Sequence, residues 1–238
     1  MKDILRLMRF DFLTASAISK SSSEYIAGVF MIVIALAVPL FIFPHSSFMY
    51  IFLAAPLIIP LQSYAEKSGF NKLYGILPVK RKSITRARFL YIFLTHFAME
   101  IVSILILVIS IYAKLYELLP IGKAFMEGSE DLYAPEKLPD IMTIFMGWFI
   151  FLCFTFAFME MYGQIHGRQS EMKVLFIMIG AFCVIVLGGI FILGQIGYPE
   201  LKLDMPAWAA VLITNLGMLG VCVLFGEITA AKLAKREL

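Results

Sequence analysis

Phe89 to Ala113 reads FLYIFLTHFAMEIVSILILVISIYA, an apolar run interrupted near its middle by one carboxylate, Glu100, and one histidine, His96. As a helix it is long enough to cross a hydrocarbon core of about 30 Å. Runs of the same kind recur at Tyr25–Phe43, Phe48–Ser63, Ile141–Met161, Val174–Gly194 and Ala207–Glu227. The run at Phe48–Ser63 is the shortest and holds Pro56 and Pro60, which remove backbone donors and predict a tilted, bent or broken span. Across all 238 residues, 61% are hydrophobic and 16% charged, against about 25% charged in ordinary soluble domains. The mean hydropathy is +0.89. These values exclude a water-soluble globule and predict an all-α polytopic membrane protein, one domain over 1–238 with six transmembrane helices.

The distribution of Lys and Arg orients the chain, because basic residues collect on the cytoplasmic side. With both termini in the cytoplasm, 16 of the 20 basic residues fall inside, seven of them between Lys67 and Arg88. The opposite loops are acidic through Glu117, Glu127, Glu130, Asp131, Glu136, Asp140, Glu200 and Asp204. Segment 114–140, the extracellular loop, is the longest extramembrane piece and is too short to fold alone as a catalytic domain. It reads as a solvated cap or short helix whose acidic residues attract cationic material. Segment 1–24 is expected to lie on the inner interface. Ile4, Leu5, Met8 and Phe12 share one side of a helix there, with Lys2, Arg6 and Arg9 mostly elsewhere. The absence of a small-residue site after the first apolar run argues against a cleaved leader.

Several chemistries lack their residues. The nearest approach to a phosphate loop, Gly163 to Ser170, has one residue too few between its glycines and Arg in place of Lys. No HExxH, GxSxG or Asn-x-Ser/Thr occurs. His45, His96 and His166 are expected at the outer face, mid-membrane and inner face, which disfavours a shared metal site. Cys153, Cys183 and Cys222 each sit in a different apolar run and read as small core residues. A nucleic-acid partner has no support here.

The loop 64–88 contains EKSGFNKLYGILPVKRKSITRAR from Glu66 to Arg88, in which basic residues alternate with apolar anchors. Such a loop meets anionic headgroups, and its apolar groups need a surface to bury them, either the bilayer interface or a soluble partner. A helix over Phe70–Ile76, a corner at Pro78, and a second helix capped by Ser83 and running through Arg88 into the next span fit it. Leu77-Pro78-Val79-Lys80-Arg81-Lys82-Ser83-Ile84, followed by Arg86-Ala87-Arg88-Phe89-Leu90, resembles the LPV-x-R-K-x-I-x-x-[AG]-[KR]-[FY]-L stretch between spans two and three of ABC type 2 transporter permeases. Glu66 and the run Asn71 to Tyr74 resemble that family as well. The resemblance implies a coupling element that docks on a separate ATPase subunit through Phe70, Leu73, Tyr74, Leu77, Pro78 and Arg81. It also implies that the interfacial segment 1–24 is a connecting helix leading into span one. The inner loop Tyr162–Glu171 is a candidate second contact.

Inside the membrane, a charged group should face protein or water rather than lipid. His96, Glu100 and Ser103 recur at i, i+4 and i+7 on one helix face, so that face is expected to line the bundle or a translocation path. Two uses remain open for it: a structural His96–Glu100 pair, or a direct role with substrate or protons. Glu160 and Glu227 fall near the cytoplasmic ends, where snorkelling or local hydrogen bonds suffice. The aromatic and Met residues of span four read as packing surface or as a greasy wall for cargo. Gly188, Gly189, Gly217 and Gly220 are expected to permit close helix approach.

By the resemblance, the chain is the permease subunit of an ATP-driven exporter in a bacterial cell membrane. It would pair with a second permease copy or a paralogue and with two ABC ATPase subunits. ATP and Mg would be bound by those partners, no cofactor by this chain, which is not expected to be catalytic alone. Scarcity of intramembrane polar groups favours a hydrophobic or amphipathic substrate, such as a cytolytic or antimicrobial peptide, a drug or a lipid. The alternatives are a proton-coupled secondary carrier and a non-transport scaffold or immunity protein.

Overall fold

The computed structural model describes residues 6, 7, 34, 37–54, 58, 81–127, 134–167, 173, 174, 176–178, 180, 181, 184 and 206–235. Every regular element among them is helical. A short helix α1 (Met49–Phe52) follows a 3-10 turn at Pro44–Phe48. Then come α2 (Arg81–Tyr112), α3 (Pro120–Met126), α4 (Leu138–His166) and α5 (Ala207–Ala234).

Three helices, α2, α4 and α5, are long and apolar enough to cross a membrane. They correspond to the expected third, fourth and sixth spans. The first is described only at 34 and 37–43, the second at 48–54 and 58, and the fifth at 174, 176–178, 180, 181 and 184. Each long helix outruns its apolar window. α2 carries no Pro or Gly over 32 residues, so nothing interrupts its hydrogen-bond ladder. It is helical from Arg81, the first described residue of this stretch, so the last eight residues of the expected 64–88 loop lie in the helix and Ser83 is inside it instead of at its cap. α4 tolerates Pro139 because it stands in the first turn, where its missing N–H has no intrahelical partner to lose. It stops at Gly167, whose φ of 95° only glycine adopts freely, with Gly167 N–H returning to Gly163 O at 2.9 Å.

α2, α4 and α5 pack on one another as a bundle. Phe89, Phe93 and Leu107 of α2 meet Phe145, Phe149, Leu152 and Phe156 of α4 and Met218 and Cys222 of α5 in one buried cluster. α2 turns a stripe inward at Thr85, Phe89, Ile92, His96, Glu100, Ser103, Leu107 and Ser110, spaced three or four apart. Its opposite face exposes Leu94, Ile101, Val102, Leu105 and Ile109. Polar residues inward and apolar residues outward is the arrangement that lipid surroundings demand. The aromatic residues of α4 serve packing: Phe154 and Phe158 set their rings against Phe225 of α5 at 5.6 and 6.1 Å between centroids.

At the end of the bundle away from Arg81, Ser110 Oγ donates to Leu40 O at 2.9 Å. Lys114, left-handed at φ 49°, turns the chain out of α2 into a 3-10 turn and α3, which is the short helix expected in segment 114–140. Of segment 1–24, Arg6 and Leu7 are described; both are helical, Arg6 exposed and Leu7 buried.

Candidate functional site

The basic end of α2 is fastened to both neighbouring helices. Lys82 and Arg86, four apart, share a face and reach the same carboxylate on α5. Arg86 Nε meets Glu227 Oε1 at 2.5 Å and Lys82 Nζ meets Glu227 Oε2 at 3.0 Å. Arg88, about 200° further round the helix, points to α4 instead. Its Nη1 lies 3.1 Å from Glu160 Oε1, which also accepts a bond from Gln164 at 2.5 Å. The side chain of Glu160 is 3% exposed and that of Arg88 15%, whereas the Glu227 pairs are substantially wet. Sequence reasoning expected only snorkelling or local bonds for the two glutamates. Glu160 does make a local bond, to Gln164, but both carboxylates also join α2 to another helix. Nothing in the sequence fixed those partners, 72 and 141 residues away.

A second polar layer sits mid-span. His96, Glu100 and Ser103 are each fully buried. Glu100 Oε2 accepts from Asn215 Nδ2 of α5 at 2.8 Å, and the same amide donates to Val211 O at 2.8 Å. His96 Nδ1 lies 2.9 Å from Ile92 O. A carbonyl only accepts, so Nδ1 carries the hydrogen and Nε2 of the neutral ring keeps a lone pair. The imidazole leans on Phe156 of α4, 5.4 Å between centroids, so its contacts differ from those of Glu100. His96 and Glu100 form no hydrogen bond with each other; each makes its bond elsewhere. Ser103 Oγ closes on Met99 O within its own helix at 2.8 Å.

Among the described residues, His96 Nε2, Glu100 Oε1 and Asn215 Oδ1 are buried with no hydrogen-bond partner. All three are acceptors when Glu100 is ionised, and an unmet buried acceptor is costly. A proton on Glu100 would make its carboxyl a donor within this layer. Asn215 was missed in the sequence, although a lone amide in a span otherwise poor in polar side chains was a readable signal.

Of the expected coupling residues, Phe70, Leu73, Tyr74, Leu77 and Pro78 lie outside the described residues, and Arg81 is the first residue of α2. His45, His96 and His166 fall on the 3-10 turn before α1, mid-α2 and the last residue of α4. No group of three or more His, Cys, Asp or Glu side chains suited to a metal occurs among the described residues. Cys153 and Cys222 are buried, unbridged and 3.9 Å apart at sulfur; Cys183 lies outside the described residues. Among the described residues, a Cβ on Gly217 or Gly220 would meet nothing within 4 Å, while one on Gly226 would stand 3.4 Å from the Phe89 ring, in ordinary contact. Gly188 and Gly189 are outside the described residues.

Residues 22–228 match a family model described as ABC-2 family transporter protein. No curated protein and no solved structure matches the chain significantly.

Proposed function

The chain belongs to the ABC-2 family of transporter membrane proteins, and from that premise we propose that it is the permease subunit of an ATP-driven exporter. It works with a second permease copy or a paralogue and with two separate ABC ATPase subunits, which bind ATP and Mg. It sits in a bacterial plasma membrane with both termini in the cytoplasm and moves a hydrophobic or amphipathic cargo outward.

The observation that carries this reading is the fastening of α2. That helix emerges directly from the basic loop 64–88, and its first two turns are joined to α5 through Glu227 and to α4 through Glu160. A push delivered to the loop by closing ATPases therefore moves three helices together, not one. The mid-span layer of Glu100, Asn215 and His96 rides on the same three helices, and a change in their packing would open or close it. ATP hydrolysis itself belongs to the partner.

The test is a pull-down of the protein from its native host, with and without Leu77→Asp plus Arg81→Glu, scoring ATPase activity that copurifies. Activity with the wild type and its loss in the variant is the expected result. Absence of activity from both overturns the reading.

A second reading, proton-coupled transport, is favoured by one observation: Glu100 Oε1 is buried without a partner. On that reading Glu100→Gln abolishes uphill transport driven by a proton gradient in ATPase-free vesicles. On the exporter reading no such transport exists to abolish.

A further inference from the structure

Between the basic end of α2 and the facing turns of α5 lies a cleft of about 260 Å³. Its walls are Phe89 and Leu90 of α2 and Leu219 and Val223 of α5, with Cys222 behind them. Gly226 leaves the floor open at the level of the Phe89 ring, 3.4 Å from where a Cβ would stand. Charge appears only at one end, where Arg86 and Glu227 flank the opening. From Leu219 to Glu227 the wall rises through about 12 Å of helix. It is thus a slot with an apolar body and a polar mouth. The slot adjoins an apolar surface, since Val223, Leu224 and Leu216 are all exposed.

The mouth is not neutral. Lys82 and Arg86 share the single carboxylate of Glu227, which leaves one positive charge in excess. Arg86 uses Nε for that contact, so its Nη donors remain for an oxyanion, which a guanidinium binds through paired hydrogen bonds. We propose that this cleft is a binding site for an anionic phospholipid of the cytoplasmic leaflet, its phosphate at Lys82 and Arg86 and one acyl chain lying between Leu90 and Val223. The assignment rests on the orientation in the reading above, which puts the mouth at the cytoplasmic headgroup level, and not on the ATPase. Charge complementarity selects the headgroup, and an all-apolar slot beneath it selects a chain.

The experiment uses the full-length protein in ATPase-free vesicles containing a trace of diazirine-labelled phosphatidylglycerol or of phosphatidylcholine bearing the same label in its chain. After photolysis, labelled peptides are identified by mass spectrometry. The anionic probe is expected to label the segments around Leu90 and Val223 several-fold more than the zwitterionic one. Lys82→Gln with Arg86→Gln removes that preference. Glu227→Gln, which deletes the competing negative charge, raises it; a purely structural ion pair would make all these variants alike. Gly226→Leu fills the slot and suppresses labelling, with Val223→Trp at the rim as the alternative if that variant does not fold. Equal labelling by both lipids, or an anionic preference indifferent to Glu227→Gln and to filling the slot, overturns the proposal. Because no ATPase is present, that failure leaves the exporter reading standing.

Discussion

Arg88 of α2 meets the buried carboxylate of Glu160 of α4 at 3.1 Å, while Lys82 and Arg86 meet Glu227 in a wet setting two turns or less away along the same helix. Burial makes these unequal interactions. An exposed pair contributes about 0–1 kcal/mol, but a buried charge stripped of its partner costs about 3–5 kcal/mol. Glu160→Met, which takes this carboxylate from Arg88, is therefore expected to destabilise the purified protein by more than about 1 kcal/mol. Glu227→Gln should cost under about 1 kcal/mol. Replacing both residues, as Arg88→Met with Glu160→Met, should recover part of the loss, because neither charge of the pair is then left behind. Unfolding followed by tryptophan fluorescence in mild detergent measures wild type, these three variants and the single Arg88→Met. A double variant as unstable as the sum of its singles would mean that the two residues do not form the interacting unit.

Glu100 and Asn215 make the corresponding join mid-span, through a neutral donor. Glu100→Gln keeps an acceptor for the Asn215 amide, and its stability is expected to stay near wild type. Asn215→Leu removes the donor and leaves a buried carboxylate with no partner. Interhelical bonds of this kind contribute about 0.6 and up to about 1.7 kcal/mol in membranes, and the stranded charge adds to that. The two variants separate structure from transport. Lost transport in the stable Glu100→Gln protein would assign the carboxylate to the path, and full transport would leave it a packing group.

How much of this was readable in the chain follows from the range of each signal. The helix through Glu100 and the inward face of His96, Glu100 and Ser103 depend on spacing within one helix, and periodicity exposes that directly. Helical structure through Arg86 and Arg88 into the span was equally local, although Ser83, expected at the cap, lies within the helix. The partners of Glu160 and Glu227 were not readable, because which basic residue reaches which carboxylate is settled only when α2 packs between α4 and α5. Gly217 and Gly220 show the limit of a composition signal: small residues license close approach without saying which face of the helix is used, and among the described residues the glycine of α5 that faces a neighbouring helix is Gly226, against Phe89. Asn215 was passed over because only ionisable residues were weighed inside the membrane, although a buried amide needs a partner just as a carboxylate does.

The packing of α4 on α5 has its own reporter in Cys153 and Cys222, whose sulfurs stand 3.9 Å apart as free thiols. A membrane-permeant thiol oxidant is expected to join them within one chain, so that tryptic peptides carrying the two residues run together until reduced. A disulfide requires sulfurs about 2.05 Å apart, so only a small local movement separates the two states. Cys153→Ser should abolish the linked peptide. Its persistence in that variant, carried by Cys183 and Cys222, would contradict this packing of α4 against α5.

Gly122 offers a test at the other end of the bundle. A side-chain carbon there would run into the backbone carbonyl oxygens of Tyr116 and Phe41, neither of which can swing aside as a flexible side chain would. Gly122→Ala must therefore shift main chain, either parting α3 from the turn that follows α2 or parting it from the segment at Phe41. Overpacking of this sort costs about 1–3 kcal/mol, and its structural effect is local to the cap. Gly147, inside α4, supplies the opposite case, since nothing lies within 4 Å of its missing Cβ. Alanine there gains helix propensity worth up to about 1 kcal/mol. Proteolysis of intact vesicles from the side bearing α3 is expected to cut segment 114–140 faster in Gly122→Ala than in wild type, while Gly147→Ala cuts no faster and melts slightly higher. If Gly122→Ala resisted protease as well as wild type, the cap would not be held by this close approach, and the contact between α3 and Phe41 would have to be given up.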